Sequence, residues 1–99
     1  MKTVIETPTF SKQVNKIWRE DERLAFIDFI AQNPTAGEVI PQSEGARKVR
    51  WSAKGTGKRG GVRVIYFNQD IDGIVYLVAI YRKSDKSNIT GKEIRQSVN

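Results

Sequence analysis

The sequence contains neither cysteine nor histidine. Without cysteine there is no disulfide framework, no thiol nucleophile and no thiolate metal site. Without histidine the commonest general base and the commonest metal ligand are both missing, which removes Ser-His hydrolases and most metalloenzymes at once. The acidic residues are scattered and show no ligand-like spacing, so an oxygen-ligated metal is not indicated either. Long apolar runs are missing too. The longest, Ile74 to Tyr81, is eight residues, against the roughly 20 that a membrane helix needs. Met1-Lys2-Thr3-Val4-Ile5-Glu6 carries no apolar stretch of the signal-peptide kind. These absences lead us to expect a soluble, cytoplasmic protein with no cofactor, no metal and no membrane contact.

What is present is an ordinary globular composition, 38% apolar and 28% charged over 99 residues, enough for one domain, 1–99, with a modest core. The net charge of +6 is unevenly spread. Residues 1–46 carry five basic side chains against seven acidic, a net of −2, whereas residues 47–99 carry twelve against four, a net of +8. Seven Lys and Arg fall between Arg47 and Arg63 with no Asp or Glu among them. Such a stretch favours a polyanion, either nucleic acid or an acidic protein that covers it.

The pattern of residues predicts a strand over Lys2 to Glu6, where Thr3, Val4 and Ile5 are β-branched. Thr7-Pro8 opens a first helix from about 8 to 17, with Phe10, Val14, Ile17 and Trp18 at helical spacing. Glu20-Asp21-Glu22 opens a second, three carboxylates meeting the positive end of the helix dipole. Its expected buried stripe is Leu24, Ile27, Ile30 and Ala31, broadened by Phe26 and Phe29, and Asn33-Pro34 ends it. Residues 34–45 read as a polar connector. Three strands follow, over Ala46–Ser52, Gly61–Asn68 and Ile74–Arg82. The first alternates, Val49 and Trp51 against Lys48 and Arg50; the last two are nearly continuous apolar runs, as in strands buried on both faces. Asp70-Ile71-Asp72-Gly73 suits a hairpin turn between antiparallel neighbours. Thr90-Gly91-Lys92-Glu93 fits a capping box, with Ile89 and Ile94 as its hydrophobic staple, so a short final helix is expected. The order β-α-α-β-β-β-α describes an α+β domain with two N-terminal helices packed on one face of a mainly antiparallel four-stranded sheet and a short C-terminal helix.

The chemistry is expected between the second and third strands. Lys54-Gly55-Thr56-Gly57-Lys58-Arg59-Gly60-Gly61 puts four glycines and three cations in one loop. Glycines let backbone N–H groups approach a ligand, and Lys and Arg neutralise phosphate. It is not a nucleotide-binding P-loop, because Gly57-Lys58 is followed by Arg59 rather than Ser or Thr and leads into a strand. The plain alternative is a long hairpin loop whose glycines serve turn geometry alone.

Gly45-Ala46-Arg47-Lys48-Val49-Arg50, then Lys54 through Gly61 and Val62-Arg63-Val64-Ile65-Tyr66-Phe67, resemble the RelE superfamily of toxins, most closely its HigB-like branch. Leu77-Val78-Ala79-Ile80-Tyr81-Arg82-Lys83-Ser84, followed by Asn88-Ile89-Thr90, is similar to the closing pattern of the same family. The resemblance implies the toxin of a type II toxin–antitoxin pair. Such a toxin is a metal-independent endoribonuclease that cuts mRNA on the ribosome and so inhibits translation. The substrate's 2′-hydroxyl attacks the adjacent phosphate and leaves a 2′,3′-cyclic phosphate. Arg63 then matches the family's strand arginine on the scissile phosphate. Lys54 and Lys58 match loop lysines that stabilise transition-state charge, and Tyr81 and Lys83 match a Tyr-x-Lys that stacks or moves protons. Arg47, Lys48, Arg50 and Arg59 are expected to contact mRNA or ribosomal RNA. Tyr81 also reads as an ordinary core-edge aromatic and Lys83 as an exposed strand-end lysine, while Trp18 and Trp51 read as packing residues. Where relatives use histidine or glutamate as general base, this chain has no histidine, which leaves the proton acceptor open. The implied partner is a neighbouring antitoxin, HigA-like, with a helix-turn-helix part. A ParE-like inhibitor of DNA gyrase and a non-catalytic RNA- or ribosome-binding module are the alternatives.

Overall fold

The computed structural model describes residues 2–51, 61–69 and 72–82. Strand β1 (Thr3–Glu6) leads into helices α1 (Pro8–Ile17) and α2 (Glu20–Gln32), followed by strands β2 (Glu38–Val39), β3 (Arg47–Trp51), β4 (Val62–Gln69) and β5 (Ile74–Arg82). The strands form one sheet in the order β1-β5-β4-β3-β2, antiparallel except where β1 runs parallel to β5. The α+β architecture is the one expected, with one strand more. β2 lies in the stretch read as a connector, and its two residues are too few and too exposed to show any periodicity. The expected C-terminal helix lies outside the described residues.

Both helices start and stop where local chemistry requires. The Thr7 hydroxyl accepts the N–H of Phe10 at 3.3 Å and Pro8 occupies the first turn, where its missing N–H costs nothing. At the start of α2 the Glu22 carboxylate accepts the N–H of Arg19 at 3.2 Å, and Asn33 before Pro34 closes the helix. Arg23 of α2 reaches back to Glu6 at the end of β1, its Nε donating to Oε2 at 2.8 Å and its Nη2 donating to Oε1. Ser11 of α1 donates to the same carboxylate at 3.0 Å. The hydrogen bonds from Arg23 hold the Glu6 carboxyl below the usual range against its partial burial, and Ser11 adds to them. One ionic knot thus ties β1 to both helices.

The helices cover one face of the sheet. There Phe10, Val14, Trp18, Phe26 and Ile30 pack on Val49, Val62, Val64, Tyr66, Val75, Leu77 and Ile80. Phe26 is the hub, its ring centroid 5.4 Å from both Trp18 and Trp51, the latter in edge-on geometry. Trp18 and Trp51 are therefore packing residues, as expected. Leu24 is not. It is 57% exposed, because a position two residues from Phe26 lies about 200° round a helix of 3.6 residues per turn. The buried stripe of α2 is Phe26, Ile30 and Ala31, with Ile27 and Phe29 half-buried.

Candidate functional site

The face of the sheet turned away from α1 and α2, the far face, holds the charged residues that alternate with the core. On β3, Val49 and Trp51 pack under the helices, so Lys48 and Arg50 point the other way. On β4, Val62, Val64 and Tyr66 face the helices, which sends Arg63, Ile65 and Phe67 to the far face. By simple alternation from Val75 and Leu77, Tyr81 would face the helices. It does not. The register slips between Ile65 and Tyr66: Tyr66 pairs with Leu77 but Ile65 pairs with Ala79, leaving Val78 as an extra residue in β5. This bulge reverses the alternation and brings Ala79 and Tyr81 to the far face beside Ile65.

The bulge is held from α1. The Thr7 hydroxyl lies 2.9 Å from the Leu77 carbonyl and 3.2 Å from that of Val78, and the Thr7 N–H donates to Leu77 at 3.0 Å. Beyond the end of β1 the N–H of Ile80 donates to Oε1 of Gln13 at 3.0 Å. Backbone groups of β5 beside the bulge and beyond the end of β1 are thereby satisfied by side chains.

Half of the far face is closed. Ile65, Val78 and Ala79 are covered by Ile40 and Ala46 of the loop between β2 and β3. That loop is drawn tight by the buried Ser43, whose hydroxyl donates to the Ile40 carbonyl at 2.6 Å and accepts the Ala46 N–H at 3.0 Å. The turn also demands left-handed backbone, met at Gly45 with φ +97°. Beside this closed half runs a row of three cross-strand partners on adjacent strands, Arg50, Arg63 and Tyr81, of which Tyr81 is 8% exposed and packs in the closed cluster around Ile65. Gly61 sits beside them. A Cβ there would lie 3.3 Å from Nη1 of Arg63 and 3.4 Å from Cγ of Arg50, so the bare glycine makes room for both side chains.

Arg63 is the anomaly of this row. It is 8% exposed, and its Nη1 is buried with no hydrogen-bond partner among the described residues. A buried donor left unmade costs about 1–3 kcal/mol, and more when it is charged. Like charges directly opposite one another on a sheet, as Arg50 and Arg63 are, also repel. Both costs are relieved by an oxyanion. A cavity of about 460 Å³ opens here, lined by Ala36, Glu38, Lys48, Val49, Arg50 and Arg63.

The structure therefore brings Arg63, Tyr81, Lys48 and Arg50 to one face. Arg47 stands apart. Its partner across the strands is Tyr66, on the helical face, and its Nη1 donates to the Gly37 carbonyl at 2.7 Å. Gly37 in turn donates its N–H to the Tyr66 hydroxyl at 2.9 Å, and that hydroxyl donates to Pro34 at 2.8 Å. Burial pushes the Tyr66 phenol up, opposed by the Gly37 N–H and by the nearby Arg47 charge. Arg47 is thus part of the tie that seats the connector on the sheet. Lys54, Lys58, Arg59 and Lys83 lie outside the described residues. Ala36, Glu38 and Val49 of the cavity lining, and Gly61 beside it, were missed in the sequence as members of the site. Glu38 gave no signal because β2 is too short to pattern, and Gly61 stood in the glycine-rich string without its particular role being visible.

No family model matches the sequence. The fold is similar to that of an arginine-to-alanine double mutant of the Escherichia coli toxin RelE in its free state. The TM-score is 0.65, with 98% of this chain and 93% of that chain covered at 11% identity. It is also similar to a chain of the toxin–antitoxin complex RelBE2 from Mycobacterium tuberculosis. There the TM-score is 0.61, with 82% of this chain and 96% of that chain covered at 16% identity. At these identities the likeness is one of fold, and the fold is RelE-like.

Proposed function

We propose that this chain is the toxin of a type II toxin–antitoxin pair and acts as an endoribonuclease on mRNA held by the ribosome, in the cytoplasm. The observation that carries the reading is Arg63, a buried guanidinium whose Nη1 has no partner among the described residues, set opposite Arg50 over a cavity on the far face. An arginine fork holds two phosphate oxygens at once and stays charged under all working conditions. Cleavage by the substrate's own 2′-hydroxyl asks the protein to position RNA, stabilise a pentacoordinate phosphorus and move protons, with no metal in any of these roles. In this reading Arg63 holds the scissile phosphate, and Lys48 and Arg50 hold the flanking backbone. Tyr81, turned to the same face by the bulge, packs against a base or the ribose. Lys54, Lys58 and Lys83 supply further charge and a proton donor, and Arg59 borders the RNA path. The likeness to a chain of the RelBE2 complex supports an antitoxin as partner; the resemblance of the motif region suggests a HigA-like one with a helix-turn-helix part.

Primer extension on mRNA from cells expressing the chain tests the reading, alongside reconstituted ribosomes programmed with a defined message. Discrete cuts within codons, lost with Arg63→Ala, are expected. Intact mRNA with damaged DNA would instead point to gyrase, and an Arg63→Ala chain that still arrests growth would overturn the role given to Arg63.

A further inference from the structure

Gly37 is buried between two exposed neighbours, Ala36 and Glu38. Both neighbours line the cavity beside Arg63, whose adjoining side is built by Lys48, Val49 and Arg50 of β3. They form a wall carried by the chain between α2 and β2, outside the pair of strands that holds the arginines. The sheet grips this wall weakly. β2 pairs with β3 over two residues at the edge of the sheet, Glu38 opposite Lys48 and Val39 opposite Arg47.

The firmer hold is on Gly37 itself. Its N–H donates to the Tyr66 hydroxyl at 2.9 Å, and its carbonyl accepts Nη1 of Arg47 at 2.7 Å. The same hydroxyl donates to the Pro34 carbonyl at 2.8 Å, so one phenol spans the wall from Pro34 to Gly37. The fit leaves no slack. A Cβ on Gly37 would lie 2.8 Å from the Lys48 carbonyl oxygen and 3.0 Å from Cε1 of the Tyr66 ring. Tyr66 has no exposed surface and packs on the helical face, so it meets nothing that enters the cavity.

We propose that Tyr66 is a positioning residue for cleavage: by clamping Pro34 and Gly37 it fixes the wall of Ala36 and Glu38 against which the nucleotide at Arg63 is oriented. The inference rests on the endoribonuclease reading. Arg63 and Arg50 fix a phosphate, but a nucleotide held by its phosphate alone still turns about it. Attack by the 2′-hydroxyl needs that oxygen in line with the bond that breaks, and a misplacement of about 1 Å costs on the order of 10²-fold in rate. A wall at a fixed height removes the turning freedom. Tyr66 thus acts on rate, through orientation, and affinity is left to the cations.

Single-turnover cleavage on programmed ribosomes and hydrogen exchange of the free full chain test this together, well below the melting midpoint. Tyr66→Phe keeps the ring and removes the hydroxyl. It should speed exchange of the Gly37 amide roughly tenfold. Cleavage should slow about 10- to 100-fold, with affinity for the programmed ribosome held within about threefold. Gly37→Ala, which forces the same segment off Lys48, should slow cleavage by a similar factor. The two changes together should cost less than the product of the two, because both act through one wall. Val14→Ala, a cavity in the helical-face core on α1, should lower the melting midpoint and leave the rate as it was. An unchanged Gly37 amide in Tyr66→Phe would overturn the proposal, as would a loss of affinity in place of rate. An equal loss of rate in Val14→Ala would reduce Tyr66 to one more core side chain. If wild type itself cuts nothing, the endoribonuclease reading falls and this role with it, whereas a wild type that cuts beside an unaffected Tyr66→Phe sinks this role alone.

Discussion

Phe10, Val14, Phe26 and Ile30 meet Val64, Tyr66, Val75 and Leu77 on the helical face of the sheet without any exposed surface, and the Tyr66 hydroxyl drawn in there has both its partners. On the far face the same strands bury Arg63, leave its Nη1 without a partner among the described residues, and set it opposite Arg50. Alternate residues of one backbone thus follow two rules. The helical face is packed and satisfied, and its burial supplies the stability of the fold. The far face is half closed by the loop around Ser43 and half given to Lys48, Arg50 and Arg63, of which Arg63 keeps Nη1 without a partner among the described residues. Departures from local consistency of this kind concentrate at functional sites, where a ligand makes up what the protein leaves open.

The largest effect that separates the faces is expected at Phe26. Phe26→Ala removes the ring that meets Trp18, Phe29 and Trp51 and should cost about 3–5 kcal/mol in urea unfolding. A loss below about 1 kcal/mol would mean that the helical face is not the store of stability described above. Arg63→Met should act in the opposite direction. Replacing a buried, unpartnered guanidinium with an apolar chain of similar reach is expected to leave stability unchanged or raise it by about 1–3 kcal/mol, while growth arrest disappears. If Arg63→Met unfolds the protein instead, the guanidinium has a structural partner and the contrast between the faces is weaker than drawn.

Much of this contrast was legible in the residues. Pro8, the acidic run at Glu20 and Asn33-Pro34 mark both helices, because caps and prolines act locally. The alternation of Lys48 and Arg50 with Val49 and Trp51 set the facing of β3, and by the same count it puts Arg47 with Val49 and Trp51, away from Lys48 and Arg50. The facing of Tyr81 was not legible. In Val75-Tyr76-Leu77-Val78-Ala79-Ile80-Tyr81 both parities are apolar, so a one-residue slip leaves no trace in the pattern. Nor was β2, whose pairing with β3 rests on the close approach of Gly37, where a Cβ would lie 2.8 Å from the Lys48 carbonyl oxygen. Such approaches are properties of the assembled sheet and not of a local window.

The smallest expected effect tests how the two faces communicate. Gln13 lies on α1, yet it accepts the N–H of Ile80, which stands between the bulge at Val78 and Tyr81 on β5. Gln13→Ala leaves the Ile80 N–H without its side-chain acceptor at the point where β1 no longer covers β5. A net loss of about 1 kcal/mol follows from one such bond, which corresponds to roughly fivefold faster exchange of the Ile80 amide if opening is local. The Phe10 and Val14 amides, within the helix, should keep their protection. Tyr81 ring resonances should shift while those of Tyr66, tied independently to Gly37 and Pro34, stay in place. Faster exchange at Ile80 with an unmoved Tyr81 would show that Thr7 alone holds the bulge. Movement of both would show that a polar contact made on the helical side sets the aim of a residue on the far side.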